Sequence, residues 1–103
     1  MKFSINQSEL QNALSVCVKG SSTRSTLSIL AGVYLKAEEG TLTLQTTNLE
    51  LSIKVTCPAL VEEQGESVVP AKLFLDIVKN LPDMAVRIES DDATASVFLS
   101  LIH

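Results

Sequence analysis

Apolar and polar residues alternate from the start of the chain, Phe3 and Ile5 against Lys2 and Ser4, which predicts a short strand that stops at Asn6. The period then lengthens. Leu10, Ala13, Leu14, Cys17 and Val18 fall at helical spacing and predict an amphipathic helix with Gln7, Gln11, Asn12, Ser15 and Lys19 on its polar side. Asn6 is a natural N-cap, and Glu9 three residues on completes an arrangement resembling a capping box. Gly20 suits the left-handed residue that ends a helix, and a Ser/Thr-rich loop carrying Arg24 follows over 21–28.

From Val33 the period returns to two. Val33, Leu35 and Ala37, then Leu42 and Leu44, then Leu49, Leu51, Ile53 and Val55 predict three strands in an antiparallel meander. Glu39-Gly40 and Thr47-Asn48 are its turns, and Pro58 stops the third strand. The acidic run Glu62-Glu63-Gln64-Gly65-Glu66 reads as a solvated connection.

The same order then begins again. Ser67–Val69 is a brief strand and Pro70 opens a helix whose apolar face is Leu73, Phe74, Ile77, Val78 and Leu81. Lys72, Asp76 and Lys79 form its polar stripe, and Leu81-Pro82-Asp83 stops it. Two strands follow, Ala85–Glu89 and about 94–101, joined at Asp91-Asp92. The pattern is a strand-helix-strand-strand-strand unit followed by a second that lacks its last strand. It predicts an α+β domain with two helices side by side on antiparallel sheet, their polar stripes facing one way.

Composition narrows the function. With 103 residues, 46% of them hydrophobic, the chain supports one ordinary core without staples. The pattern therefore describes a single domain over residues 1–103. Cys17 and Cys57 form neither a disulfide framework nor a ligand spacing, and read as buried thiols of a reducing cytosol. No signal peptide or membrane span is legible, so a cytoplasmic location with no membrane partner is expected. The lone histidine is His103, and no nucleophile elbow, phosphate-cradling loop or acid/base carboxylate pair is present. No catalytic residue, metal site or cofactor is predicted.

Charge changes the picture more than any motif. Eight basic and twelve acidic residues give −4, which argues against a surface that attracts nucleic acid everywhere. The helical and adjoining loop segments, 6–24 and 70–80, nevertheless hold Lys19, Arg24, Lys72 and Lys79 against only Glu9 and Asp76, a net of +2. The remainder carries −6. A basic helical side on an acidic domain fits sequence-indifferent contact with phosphate backbone, and no aromatic residue on that side offers base stacking.

Several segments taken in order carry a resemblance: Met1-Lys2-Phe3, the loop from Thr23 to Leu30, Gly40-Thr41-Leu42, Thr47-Asn48-Leu49-Glu50, Val69-Pro70-Ala71-Lys72 with Phe74, Asp76-Ile77, and Leu81-Pro82. Over roughly residues 1–90 the chain resembles the first domain of the bacterial sliding clamp family, the β subunit of DNA polymerase III. The resemblance implies a clamp domain, the first of three in a subunit, and a non-catalytic homodimeric ring that encircles duplex DNA and gives the replicative polymerase its processivity. It implies that Arg24 and Lys72 contact DNA, while Lys19 and Lys79 are inferred from the polar stripes alone. The partners implied are duplex DNA, a second clamp subunit, the polymerase and the clamp loader, the last two through parts outside these residues. Ser25 and Ser28 depart from prolines common in the family's loop, and Val97–His103 does not follow its usual closing pattern, which suggests a truncated domain. The competing reading is a stand-alone α+β protein-interaction or oligomerisation module working through an open sheet edge.

Overall fold

The computed structural model describes residues 1–19, 32–47, 52–91 and 96–102, with side chains through residue 90. Its elements run β1 (Lys2–Asn6), α1 (Gln7–Val18), β2 (Gly32–Glu38), β3 (Thr41–Thr47), β4 (Ser52–Pro58), β5 (Leu60–Glu63), β6 (Gly65–Pro70), α2 (Ala71–Lys79), β7 (Ala85–Asp91) and β8 (Ser96–Ile102). The expectations for Gly20, the Arg24 loop, the Thr47-Asn48 and Asp91-Asp92 turns, Leu49 with Leu51, and His103 rest on residues outside that set.

The α+β arrangement follows the sequence pattern, with the strands divided between two four-stranded antiparallel sheets. Their orders are β5-β1-β7-β8 and β4-β3-β2-β6. The first strand of each half has crossed into the other half's sheet. β1 pairs with β7 from Lys2↔Glu89 to Asn6↔Ala85, and β6 pairs with β2 from Gly32↔Pro70 to Ala37↔Gly65. Inward residues of both sheets, Phe3, Leu35, Leu42, Leu44 and Ile88, join Leu10 and Leu14 of α1 and Phe74 and Val78 of α2 in one cluster. Full burial stabilises by roughly 1.5–3 kcal/mol for each such large side chain.

Local chemistry explains the element ends. Asn6 caps α1, its Oδ1 accepting from the backbone N–H of Ser8 at 3.0 Å. Among the described residues Glu9 makes no return bond, so the cap is one-sided. Glu39 and Gly40 both take positive φ, 47° and 74°, which a two-residue hairpin twisted to match its strands requires. Pro70 stands immediately before α2, where its missing N–H costs nothing.

Three expectations need correction. The acidic stretch after Pro58 is not a solvated connection: 60–63 form β5, and β6 already begins at Gly65. Its acids point to solvent from an edge strand and pair across it, Glu62 with Arg87 at 2.9 Å and Glu63 with Lys2 at 3.8 Å. A charged edge of this kind resists pairing with stray strands.

Gln7 is not on α1's polar side; it is buried, and its Nε2 donates to the Val78 carbonyl at 2.8 Å and to Gln11 Oε1 at 2.9 Å. The first turn of α1 is thereby tied to the last turn of α2. Finally, the apolar face of α2 is narrower than its composition implies. Ala71, Phe74 and Val78 are buried, whereas Leu73 is 58% and Ile77 40% exposed. Each of those two lies one residue, about 100° of helical turn, before a buried one.

Both cysteines are free, and Cys17 is buried at the end of α1 with its Sγ 3.6 Å from the Leu44 carbonyl. The Thr46 hydroxyl donates to the Cys17 carbonyl and so closes the same helix end onto β3. Burial raises both thiols above the ordinary 9.0, and the Glu9 charge adds to the rise at Cys57.

Gln7→Ala should destabilise by about 1–3 kcal/mol, since it removes a buried donor and leaves a small void. Gln11→Ala should stay within about 0.5 kcal/mol. Urea unfolding of the two variants compares them directly. A thiol raised in the folded state contributes stability that is fully present below its unfolded value and is lost as pH rises through it. Urea midpoints should therefore fall as pH rises above 9.0, and Cys17→Ala should flatten that fall.

Candidate nucleic-acid interface

The two helices place the predicted basic residues at exposed positions. Lys19 is the C-cap of α1; Lys72 lies in the first turn of α2 and Lys79 in its last. All three are exposed. The bond from Gln7 to the Val78 carbonyl joins the start of α1 to the end of α2. Lys79 lies at that joined end, and Lys19 and Lys72 each sit at the far end of their helix from it. Arg24 lies outside the described residues.

Ion pairing divides the basic residues more clearly than their sequence positions do. On the sheets, Lys2 pairs with Glu63 at 3.8 Å, Lys36 with Glu38 at 3.6 Å, and Arg87 with Glu62 at 2.9 Å and Glu89 at 3.0 Å. On the helices, Lys79 pairs with Asp76 at 3.4 Å, while Lys19 and Lys72 have no carboxylate partner among the described residues. Lys54 of β4 is likewise unpaired there. Local neutralisation therefore covers most sheet bases and leaves two of the three described helix bases free for an external anion. The pairs of Lys2 with Glu63 and Arg87 with Glu62 depend on how strands are placed side by side, which composition does not reveal, whereas Lys36 with Glu38 and Arg87 with Glu89 pair along one strand.

The helix termini sharpen the contrast. Lys79 and Lys19 stand near helix C-termini, where a cation also satisfies the local dipole. Lys72 stands at the opposite end, in a first turn with no acidic residue. There it adds to the partial positive charge of the unsatisfied N–H groups, a placement that costs the helix stability and favours an approaching phosphate. Leu73 and Ile77 supply an exposed aliphatic pair on α2, and Asp76 halves the helix's net charge by offsetting one of its two lysines.

No group of three or more His, Cys, Asp or Glu able to hold a metal occurs among the described residues, and no helix there is long and apolar enough to cross a membrane. Tyr34, the most open aromatic side chain among the described residues, lies on the outer face of β2 and donates its hydroxyl to Glu66, and that carboxylate raises it above its ordinary value.

Comparison with known proteins gives a consistent result. Residues 1–101 match the family described as DNA polymerase III beta subunit, N-terminal domain. The chain is 35% identical over 97 residues to the beta sliding clamp of Streptomyces coelicolor, covering 94% of this chain and 26% of that protein. Against the beta sliding clamp of Synechococcus elongatus it is 39% identical over 100 residues, covering 94% and 27% respectively. Among solved structures, the pol III beta of Caulobacter crescentus superposes with a TM-score of 0.91 at 28% identity, over 98% of this chain and 27% of that one. A putative DNA polymerase III beta subunit from Eubacterium rectale gives 0.92 at 29% identity, over 99% and 27%. The chain thus spans about a quarter of the length of the relatives it matches.

Proposed function

The chain belongs to the DNA polymerase III beta subunit family, whose N-terminal domain it matches, and from that membership we propose that it serves as the first of three domains in a sliding clamp subunit. The family is a non-catalytic processivity factor, and DNA replication is its setting. In this reading the domain contributes one arc of a cytoplasmic, homodimeric ring around duplex DNA. α1 and α2 face the DNA, and the two sheets form the outer wall. Further domains supply the contacts to polymerase and clamp loader.

One observation carries the reading beyond membership. The bases left without a carboxylate partner on the helices, Lys19 and Lys72, stand on elements that the fold holds side by side, whereas the sheets neutralise most of theirs. Arg24 joins them through its match to the family's DNA-touching loop arginine. Contact with DNA is then electrostatic, weak and indifferent to base sequence.

Fluorescence anisotropy of the 103-residue chain on a short duplex, followed across about 50–200 mM salt, tests this. Four phosphate-facing bases predict a log-log salt slope no steeper than about −4. Alanine at both Arg24 and Lys72 should make that slope shallower by about 2. Tight binding that salt does not weaken, or a slope unmoved by the double substitution, would contradict the electrostatic reading and favour an interaction module instead.

A further inference from the structure

Away from the basic residues, an open cavity of about 320 Å³ forms where β1 hands over to α1. Its apolar wall is Pro58, Ala59, Leu60 and Ala85, and Asn6 and Glu9 stand among the residues that line it. That volume lies at the small end of ordinary ligand sites and has room for a branched aliphatic side chain with some backbone. None of Lys19, Lys72 or Lys79 lines it.

Leu60 is 76% exposed, well above every other exposed large hydrophobic side chain among the described residues. The strand edge beside it is incomplete. β5 begins at Leu60, which pairs with Ser4, so on that side of β1 the ladder stops. Ile5 and Asn6 continue to pair with β7 alone, opposite Val86 and Ala85. The chain enters β5 through Ala59 and Pro58, which bond to Gly40 and pair with Thr41 of the other sheet, so the last two residues of β1 are left unpaired on that side, among the residues that line the cavity.

The polar groups at the cavity are unspent. Asn6 uses its side-chain oxygen on Ser8, which leaves its amide N–H₂ without a partner among the described residues. Glu9 is exposed and has no ion pair there, unlike Glu38, Glu62, Glu63 and Asp76. A lone carboxylate at an apolar cavity favours a cation beside an aliphatic group and disfavours a phosphate.

We propose that this cavity docks an extended segment of a partner protein, with one aliphatic side chain against Pro58, Ala59 and Leu60 and a lysine or arginine at Glu9. The segment's backbone lies along the unpaired side of Ile5 and Asn6, as strand addition does elsewhere. Side chains that share a face of an extended segment are two residues apart, so the fitting pattern is aliphatic-x-basic. None of the bases proposed to meet DNA is used by this assignment, although Glu9 also enters the charge balance of the helical side.

The test is a titration of the isotope-labelled 103-residue chain, followed by amide chemical shifts, with a capped seven-residue peptide. It carries leucine and, two residues later, lysine in a glycine-serine background. Shifts confined to Asn6, Glu9, Ala59, Leu60 and Ala85 are expected. Replacing the peptide's leucine by serine should abolish them, and replacing its lysine by glutamate should weaken binding by about two- to five-fold. Glu9→Gln, an exposed change that leaves the fold intact, should erase that preference. Absence of shifts at millimolar peptide, or equal binding of the glutamate peptide, would overturn the proposal. So would the same shifts on concentrating the chain alone, which would mean a second copy, or on adding duplex DNA.

Discussion

The fold rests on an exchange of strands. β1 completes the sheet of the second half and β6 completes the sheet of the first, so neither half can finish its own sheet without the other. Each exchanged strand runs straight into a helix, β1 into α1 at Asn6-Gln7 and β6 into α2 at Pro70-Ala71. Where the strands pair therefore decides where the helices begin. The result is a pair of helices in contact, fastened where the buried Gln7 side chain meets the Val78 carbonyl. Everything proposed for the helical face depends on that juxtaposition, and it is bought with pairings between residues far apart in sequence, which close slowly and cooperatively.

The sequence pattern was enough to place both helices, the Glu39-Gly40 hairpin, most of the strands and the doubling, because those follow from local periodicity and turn chemistry. It was silent on the exchange, since an alternating strand such as Phe3-Ile5 carries no mark of which sheet will accept it. It misread 62–66 because charge on an edge strand looks like charge in a loop. Its error at Gln7 has a related cause: a side chain's burial is decided by a partner 71 residues away. The apolar count on α2 suggested a wide buried face, yet only the stripe through Ala71, Phe74 and Val78 meets other elements.

The candidate basic residues were legible as types, and their pairing was not. Lys36 and Lys72 look alike in the sequence. In the fold one pairs with Glu38, two residues along its strand, and the other has no carboxylate partner among the described residues, because Asp76, four residues on, pairs with Lys79 instead. Register and helical phase, not composition, separate a neutralised lysine from an available one. The same logic singles out Glu9, which reads as half of a capping box and in the structure stands unpaired at an apolar cavity.

The proposed contact with DNA is compatible with an acidic domain once distance is considered. The molecule extends 39 × 29 × 22 Å, and at physiological salt exposed charges are screened beyond about 8 Å. The net −6 carried outside the helices and their loop therefore contributes little at the helical face, where the local balance is positive. Weakness of that face is then a requirement and not a defect. A ring held on DNA by its closure has no need of tight contacts, and a steep electrostatic grip would oppose sliding. In the proposed role Lys19 and Lys72, unpaired among the described residues, with Lys79 half-neutralised by Asp76 and with Arg24, would supply an attraction that orients the duplex without fixing it. Adding bases to α2, at the exposed Leu73 for example, would strengthen the contact at the expense of movement along the helix axis.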